Sequence, residues 1–167
     1  MDDFLKQIEL AQNANLFYLS LFCSLSVPDI CGALDATDGR ATASRYRSWY
    51  QDHVVPRYDT LSADEAYLFR CSSLHQGSSE PDRPRDYERV VFIEPAQLSI
   101  NVRRMEASGR IAIMIDLKRL IPAIVAAARS FCAERSGSEP FDSNIKAFMR
   151  RHPKGFPPWV MGAPTIA

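Results

Sequence analysis

The segment SADEAYLFRCSSLHQG, residues 62–77, sets the fold class. Ser62 followed three places later by Glu65 is a capping box, in which each side chain satisfies a backbone N–H left orphaned in the first helical turn. Gly77 closes the segment with a residue suited to the left-handed conformation that ends helices. One helix is therefore predicted between them. It places Arg70 at mid-helix and His75 near the C-terminal end.

Outward from this helix, the chain reads as mainly α. Asp2 to Ser24 carries apolar residues on a 3.6-residue period and is predicted to form one long first helix. Its second half is apolar nearly all round, as expected of a central helix packed on several sides. Ser26 is the expected cap of a short second helix reaching about Leu34, with Pro28 and Asp29 in its first turn. The third helix, Arg40 to Val54, places Tyr46, Trp49, Tyr50 and His53 on one face. That stripe reads first as core. Exposed, it would instead form a platform for stacking RNA bases, with Arg47 and Trp49 as RNA-binding residues.

After the central helix, residues 78–86 are polar and proline-rich and read as a loop. Short β-branched runs then predict two or three antiparallel strands at Val90 to Ile93, Leu98 to Val102 and Ile111 to Ile115. Helix resumes from Leu117 to Glu134, and Asp142 is the expected cap of a last helix from Ser143 to His152. The expected architecture is a single helical bundle over residues 1–153. A small antiparallel β-ribbon insert at about 89–116 separates its fourth and fifth helices, and residues 154–167 form a proline-rich tail that docks on the bundle or on a partner.

Composition narrows the function. The 167 residues suffice for one substantial core, and twenty basic residues balance twenty acidic ones, without the basic excess of a dedicated nucleic-acid binder. Sixteen of the basic residues are Arg, the planar bidentate donor that suits phosphate and carboxylate. Four cysteines are scattered singly, which predicts reduced thiols and no zinc site. The longest apolar run, Leu16 to Leu25, is about half of the roughly 20 residues of a membrane span, so a cytoplasmic protein without membrane contact is expected. Glycine-rich phosphate loops, zinc-protease and hydrolase-elbow motifs are missing, and no cofactor or metal is expected.

Arg70-Cys-Ser-Ser-Leu-His75 is the constellation that can carry chemistry. An imidazole can take or give a proton near neutrality, and a guanidinium can brace phosphoryl oxygens. Five residues turn a helix by about 500°, so the two side chains leave it some 140° apart and meet only if the long Arg bends back. Arg47 and His53 also fit the loose R-x4-6-H spacing. The first pair is favoured by its glycine-ended helix, by the small residues Ser72 and Ser73, and by the polar loop that follows. Asp29 is the candidate to orient either member. The plainer alternatives are a salt bridge for Arg70 and a C-capping contact for His75.

An R-x4-6-H motif near a helix end in a small helical bundle resembles the HEPN superfamily of ribonucleases and toxins. The resemblance covers roughly residues 2–77 and 117–152. It implies metal-independent RNA cleavage by attack of a ribose 2′-OH on the adjacent phosphate, at a composite site where two copies meet as a homodimer. It also implies a role as a toxin or as a defence or stress effector, and a possible antitoxin or other protein partner. Many members have Asn or another polar residue after the Arg, where this chain has Cys71. Gly77 stands where nucleotidyltransferase-paired toxins carry Tyr, so control by tyrosine modification is not implied. The alternative is a non-catalytic helical module that binds a protein or nucleotide.

Overall fold

The structure is a computed structural model that describes residues 1–81, 85–95 and 103–167. Helices α1 (Asp2–Asn13), α2 (Phe17–Leu34), α3 (Ala43–His53) and α4 (Ala63–Gln76) come first. Strands β1 (Arg89–Ile93), β2 (Arg104–Ala107) and β3 (Arg110–Asp116) follow, then α5 (Leu117–Arg135) and the single turn α6 (Phe141–Asn144). The fold is mainly α. Its core is built around α2, which packs against α1, α3, α4, α5 and α6.

The expected first helix is two. Asn15 takes a positive φ of 59°, Asn15 N–H donates to the Gln12 carbonyl, and Leu16 N–H donates to the Ala11 carbonyl, so α1 ends and the chain restarts as α2. Asn tolerates that conformation better than other non-glycine residues. The expected break before Pro28 is missing, because α2 runs through it to Leu34. Ser26 donates its hydroxyl to the Cys23 carbonyl rather than capping, and Asp29 sits in a helix interior. This longer α2 has the length and apolarity to cross a membrane, yet half of it is buried as the central helix of the bundle. At Gly32 an added Cβ would lie 3.2 Å from the Arg45 backbone, so a side chain there would force α2 and α3 apart.

Capping fixes α4 as its ends predict. The Ser62 Oγ accepts from Glu65 N–H at 3.3 Å, and Glu65 Oε2 accepts from Ser62 N–H at 2.8 Å. At the other end Gly77 has φ 64°, Gly77 N–H donates to the Ser73 carbonyl, and Ser78 N–H donates to the Ser72 carbonyl. Nothing lies within 4 Å of a Cβ built at Gly77, so the conformation and not space requires glycine. Gly77→Ala is expected to cost about 1–2 kcal/mol and to lower the melting temperature by roughly 3–6 °C. Thermal unfolding followed by circular dichroism checks this, and an unchanged melting point would mean the cap is not strained by a side chain.

The sheet order is β1-β3-β2. β2 and β3 form an antiparallel hairpin turned by Ser108 and Gly109, both at positive φ, as tight two-residue hairpins require. β1 is parallel to β3, pairing Val90 with Ile113, which corrects the expected antiparallel ribbon. The reason is topological: β3 inserts between β1 and β2, so β1 joins the far edge of the hairpin. The expected strand at Leu98 to Val102 lies outside the described residues. Asp116 ends β3 and caps α5, its carboxylate accepting from Lys118 N–H at 2.8 Å.

The aromatic face of α3 is core. Tyr46, Trp49 and Tyr50 are buried, and the Tyr46 and Tyr50 rings stack 6.2 Å apart. Their hydroxyls and the Trp49 indole N–H have no hydrogen-bond partner among the described residues. The expected last helix is replaced by α6, a 3-10 turn at Ile145–Ala147 and four short strands: β4 (Arg151–His152), β5 (Gly155–Phe156), β6 (Val160–Met161) and β7 (Thr165–Ile166). β4 pairs with β7 and β5 with β6, and Arg150 and Ala167 exchange backbone hydrogen bonds. The tail thus folds on itself, and Asp142 accepts from Gly137 N–H instead of capping a long helix.

Candidate active site

Helices α2 and α4 bring Asp29 together with Arg70 and His75, which lie far from it in sequence and five residues apart on α4. Arg70 Nε donates to Asp29 Oδ2 at 2.7 Å, and Arg70 Nη1 lies 3.1 Å from His75 Nε2. The Arg side chain therefore bends along its own helix to close the angular gap between positions 70 and 75. Asp29, at 14% side-chain exposure, and Arg70, at 22%, form the base of the site, and His75 is exposed at its lip.

A guanidinium has only donors. Nη1 must therefore give the hydrogen in the Arg70–His75 contact, and His75 Nε2 must offer its lone pair. Arg70 Nη1 also reaches Cys71 Sγ at 4.0 Å. Tyr67, one turn before Cys71, has its phenol pKa raised first by a hydrogen bond to that thiol and then by burial. The Tyr67/Cys71 flank escaped the sequence reading, although an i, i+4 spacing on one helix face is the signal that would have found it.

Burial lifts the Asp29 carboxyl above the ordinary carboxylate range, and Arg70 and His75 pull it down without cancelling that lift. For Arg70, burial works to lower its pKa, and Asp29 and Cys71 outweigh it, leaving the guanidinium more firmly protonated. The partners thus respond in opposite senses, because the less exposed carboxylate loses more hydration than the contact returns. A native carboxyl that titrates above its unfolded value binds more protons in the native state, so stability falls as pH rises through that interval. Asp29→Asn cannot ionise. It is expected to gain stability relative to the wild type as pH rises from about 4 to about 7. Urea unfolding of both proteins at the two pH values checks this, and a wild type that gained on the variant would show that pairing outweighs burial.

The other candidates fall elsewhere. Ser72 is fully buried and donates to the Leu68 and Phe69 carbonyls, so it does not support the site as expected. Ser73 is 4% exposed, and its hydroxyl donates to the Ser78 carbonyl, away from Arg70. Trp49 is 4% exposed and packs edge-on to Phe131 at 5.9 Å, which corrects its assignment as an RNA-stacking residue. Arg47 pairs with Asp64 at 2.9 Å and lies 4.2 Å over the Tyr67 ring. His53 is half-buried against Trp49 and Phe131, and no contact joins it to Arg47 among the described residues. Of the two matches to the loose motif, then, only Arg70 and His75 meet within the chain.

Beside this site, a cavity of about 370 Å³ opens between α2, the C-terminal end of α4 and β1. Among the described residues no group of three His, Cys, Asp or Glu side chains is placed to hold a metal ion. No protein-family model, curated protein or solved structure matches this chain, so the HEPN resemblance rests on these residues alone.

Proposed function

We propose that this chain is a metal-independent endoribonuclease of HEPN type, a cytoplasmic toxin or defence effector whose complete site forms between two copies. The observation that carries this reading is the 3.1 Å Arg70–His75 contact braced by Asp29 on an exposed helix end. In the free protein Arg70 occupies the His75 lone pair. A scissile phosphate offers Arg70 a better acceptor, and its transfer there frees Nε2 to take the ribose 2′-OH proton. The 2′-oxygen then bonds to phosphorus, the bond from phosphorus to the 5′-oxygen breaks, and a 2′,3′-cyclic phosphate remains. The leaving 5′-oxygen takes a proton from the His75 of the second copy.

Incubation of single-stranded RNA with the wild type, His75→Ala and Arg70→Lys in the presence of EDTA tests the reading. Cleavage is expected from the wild type alone, with cyclic-phosphate ends. Equal cleavage by all three would remove the site from consideration.

A second reading, a module that captures a protein partner such as an antitoxin, is favoured by the C-terminal strands. Trp159, Met161 and Ile166 are 76%, 79% and 67% exposed there. On that reading, removal of Lys154 to Ala167 abolishes partner capture and leaves the bundle folded.

A further inference from the structure

We infer that the cavity between α2, the end of α4 and β1 is a subsite for one unpaired nucleobase of the RNA strand. The identity of that strand as substrate rests on the nuclease reading above. Four rings make the case. Tyr18 and Phe22 meet edge-on at 6.2 Å on one wall, and Phe69 and Phe92 lie 4.5 Å apart on another. Tyr18 is 78% exposed, so its ring is not core; it stands at the mouth of the cavity with a face free for stacking. A volume of about 370 Å³ admits a base and not a folded segment.

Position ties the cavity to Arg70 and His75. On α2, Phe22 and Asp29 are seven residues apart, two turns along one face and about 10 Å in rise. On α4, Ser73 and Gly77 of the cavity wall lie one and two turns beyond Arg70. Cavity and candidate active site therefore share one seam between the two helices. A strand whose phosphate sits on Arg70 can reach the cavity with the base of a neighbouring nucleotide.

Charge chooses the kind of base. Arg89, on the wall, is tied to Glu80 at 3.0 Å. Glu94, on the rim, is exposed and makes no ion pair among the described residues. A carboxylate there repels phosphate and accepts hydrogen bonds from an exocyclic amine, which cytosine has and uracil lacks. The ligand is thus an amine-bearing base stacked on aromatic rings, with the backbone phosphate held outside.

The test uses the full chain and fluorescent 2′-O-methyl hexamers of cytidine and of uridine, which lack the attacking hydroxyl and cannot be cleaved this way. Anisotropy titration is expected to show tighter binding of the cytidine hexamer. Tyr18→Ala should weaken it about tenfold or more, Tyr18→Phe should restore it, and Glu94→Ala should erase the cytidine preference. Failure of the wild type to bind either hexamer overturns the subsite, as do equal binding of the two and indifference to Tyr18→Ala. Sedimentation of Tyr18→Ala separates another occupant: a dimer lost while hexamer binding holds assigns this face to a second copy and overturns the proposal. Ring-dependent binding without RNA cleavage sinks the nuclease reading and keeps the subsite. Cleavage with ring-independent binding does the reverse.

Discussion

Replacing His75 with alanine is expected to lower the rate of RNA cleavage by about 10²–10⁴-fold, the usual contribution of a positioned general acid or base, and to leave the melting temperature within a degree or two of the wild type. The two halves of that expectation have separate causes. His75 is exposed, and the helix end it occupies is held by Gly77 and by backbone hydrogen bonds, so its loss opens no void. What goes is the side-chain contact to Arg70 Nη1 and, with it, the lone pair that would accept the 2′-OH proton. Arg70→Ala is a poorer test, because it strands the Asp29 carboxylate in a half-buried position and destabilises the protein through an unpaired charge. Arg70→Lys keeps the charge and loses the fork that bonds Asp29 and His75 together. Initial rates with 5′-labelled RNA, paired with thermal unfolding, read both halves. A His75→Ala protein that cleaves at the wild-type rate would leave the Arg70–His75 contact as a plain helix-end interaction.

The parts of this molecule that were legible in the sequence are those set by local hydrogen bonding. Ser62, Glu65 and Gly77 bound α4 because capping chemistry acts within one turn. The division between α1 and α2 was hidden because apolar residues keep their period across it, while the stop is carried by Asn15 and two backbone hydrogen bonds. Pro28 misled for a related reason: α2 is buried among several helices, and tertiary packing outweighs the one backbone hydrogen bond that proline removes. The end of the chain was illegible because Arg150 pairs with Ala167, an arrangement without local signature. In the candidate site, Arg70 and His75 were visible as a spacing. Asp29, 41 residues earlier, was nameable as a helper, but its bond to Arg70 depends on how α2 and α4 cross. Ser72 and Ser73 were attractive as small polar residues, and their positions on the inward side of α4 turned them to its own backbone and to the turn that follows.

The bundle and the site separate in energy as they do in space, and Phe131→Ala shows where the stability lies. Phe131 is fully buried in α5 and meets three rings edge-on: Trp49 at 5.9 Å, His53 at 5.4 Å and Phe141 at 5.9 Å. It therefore joins α3, α5 and α6 at one point. Removing its ring forfeits the transfer energy of the aromatic group and leaves a cavity whose other walls are rings on separate helices, which cannot collapse without moving those helices. The expected cost is about 3–5 kcal/mol, a large part of the roughly 5–15 kcal/mol that hold such a domain folded. The melting temperature should fall by about 6–20 °C. Phe131→Leu, which fills most of the void but loses the edge-on contacts, should fall between this variant and the wild type. Neither substitution touches Asp29, Arg70 or His75, so hexamer binding and cleavage per folded molecule should match the wild type at temperatures well below unfolding. Urea denaturation together with activity at about 20 °C separates the two effects. A Phe131→Ala protein of unchanged stability would mean that the α3–α5–α6 junction is not where the core is held.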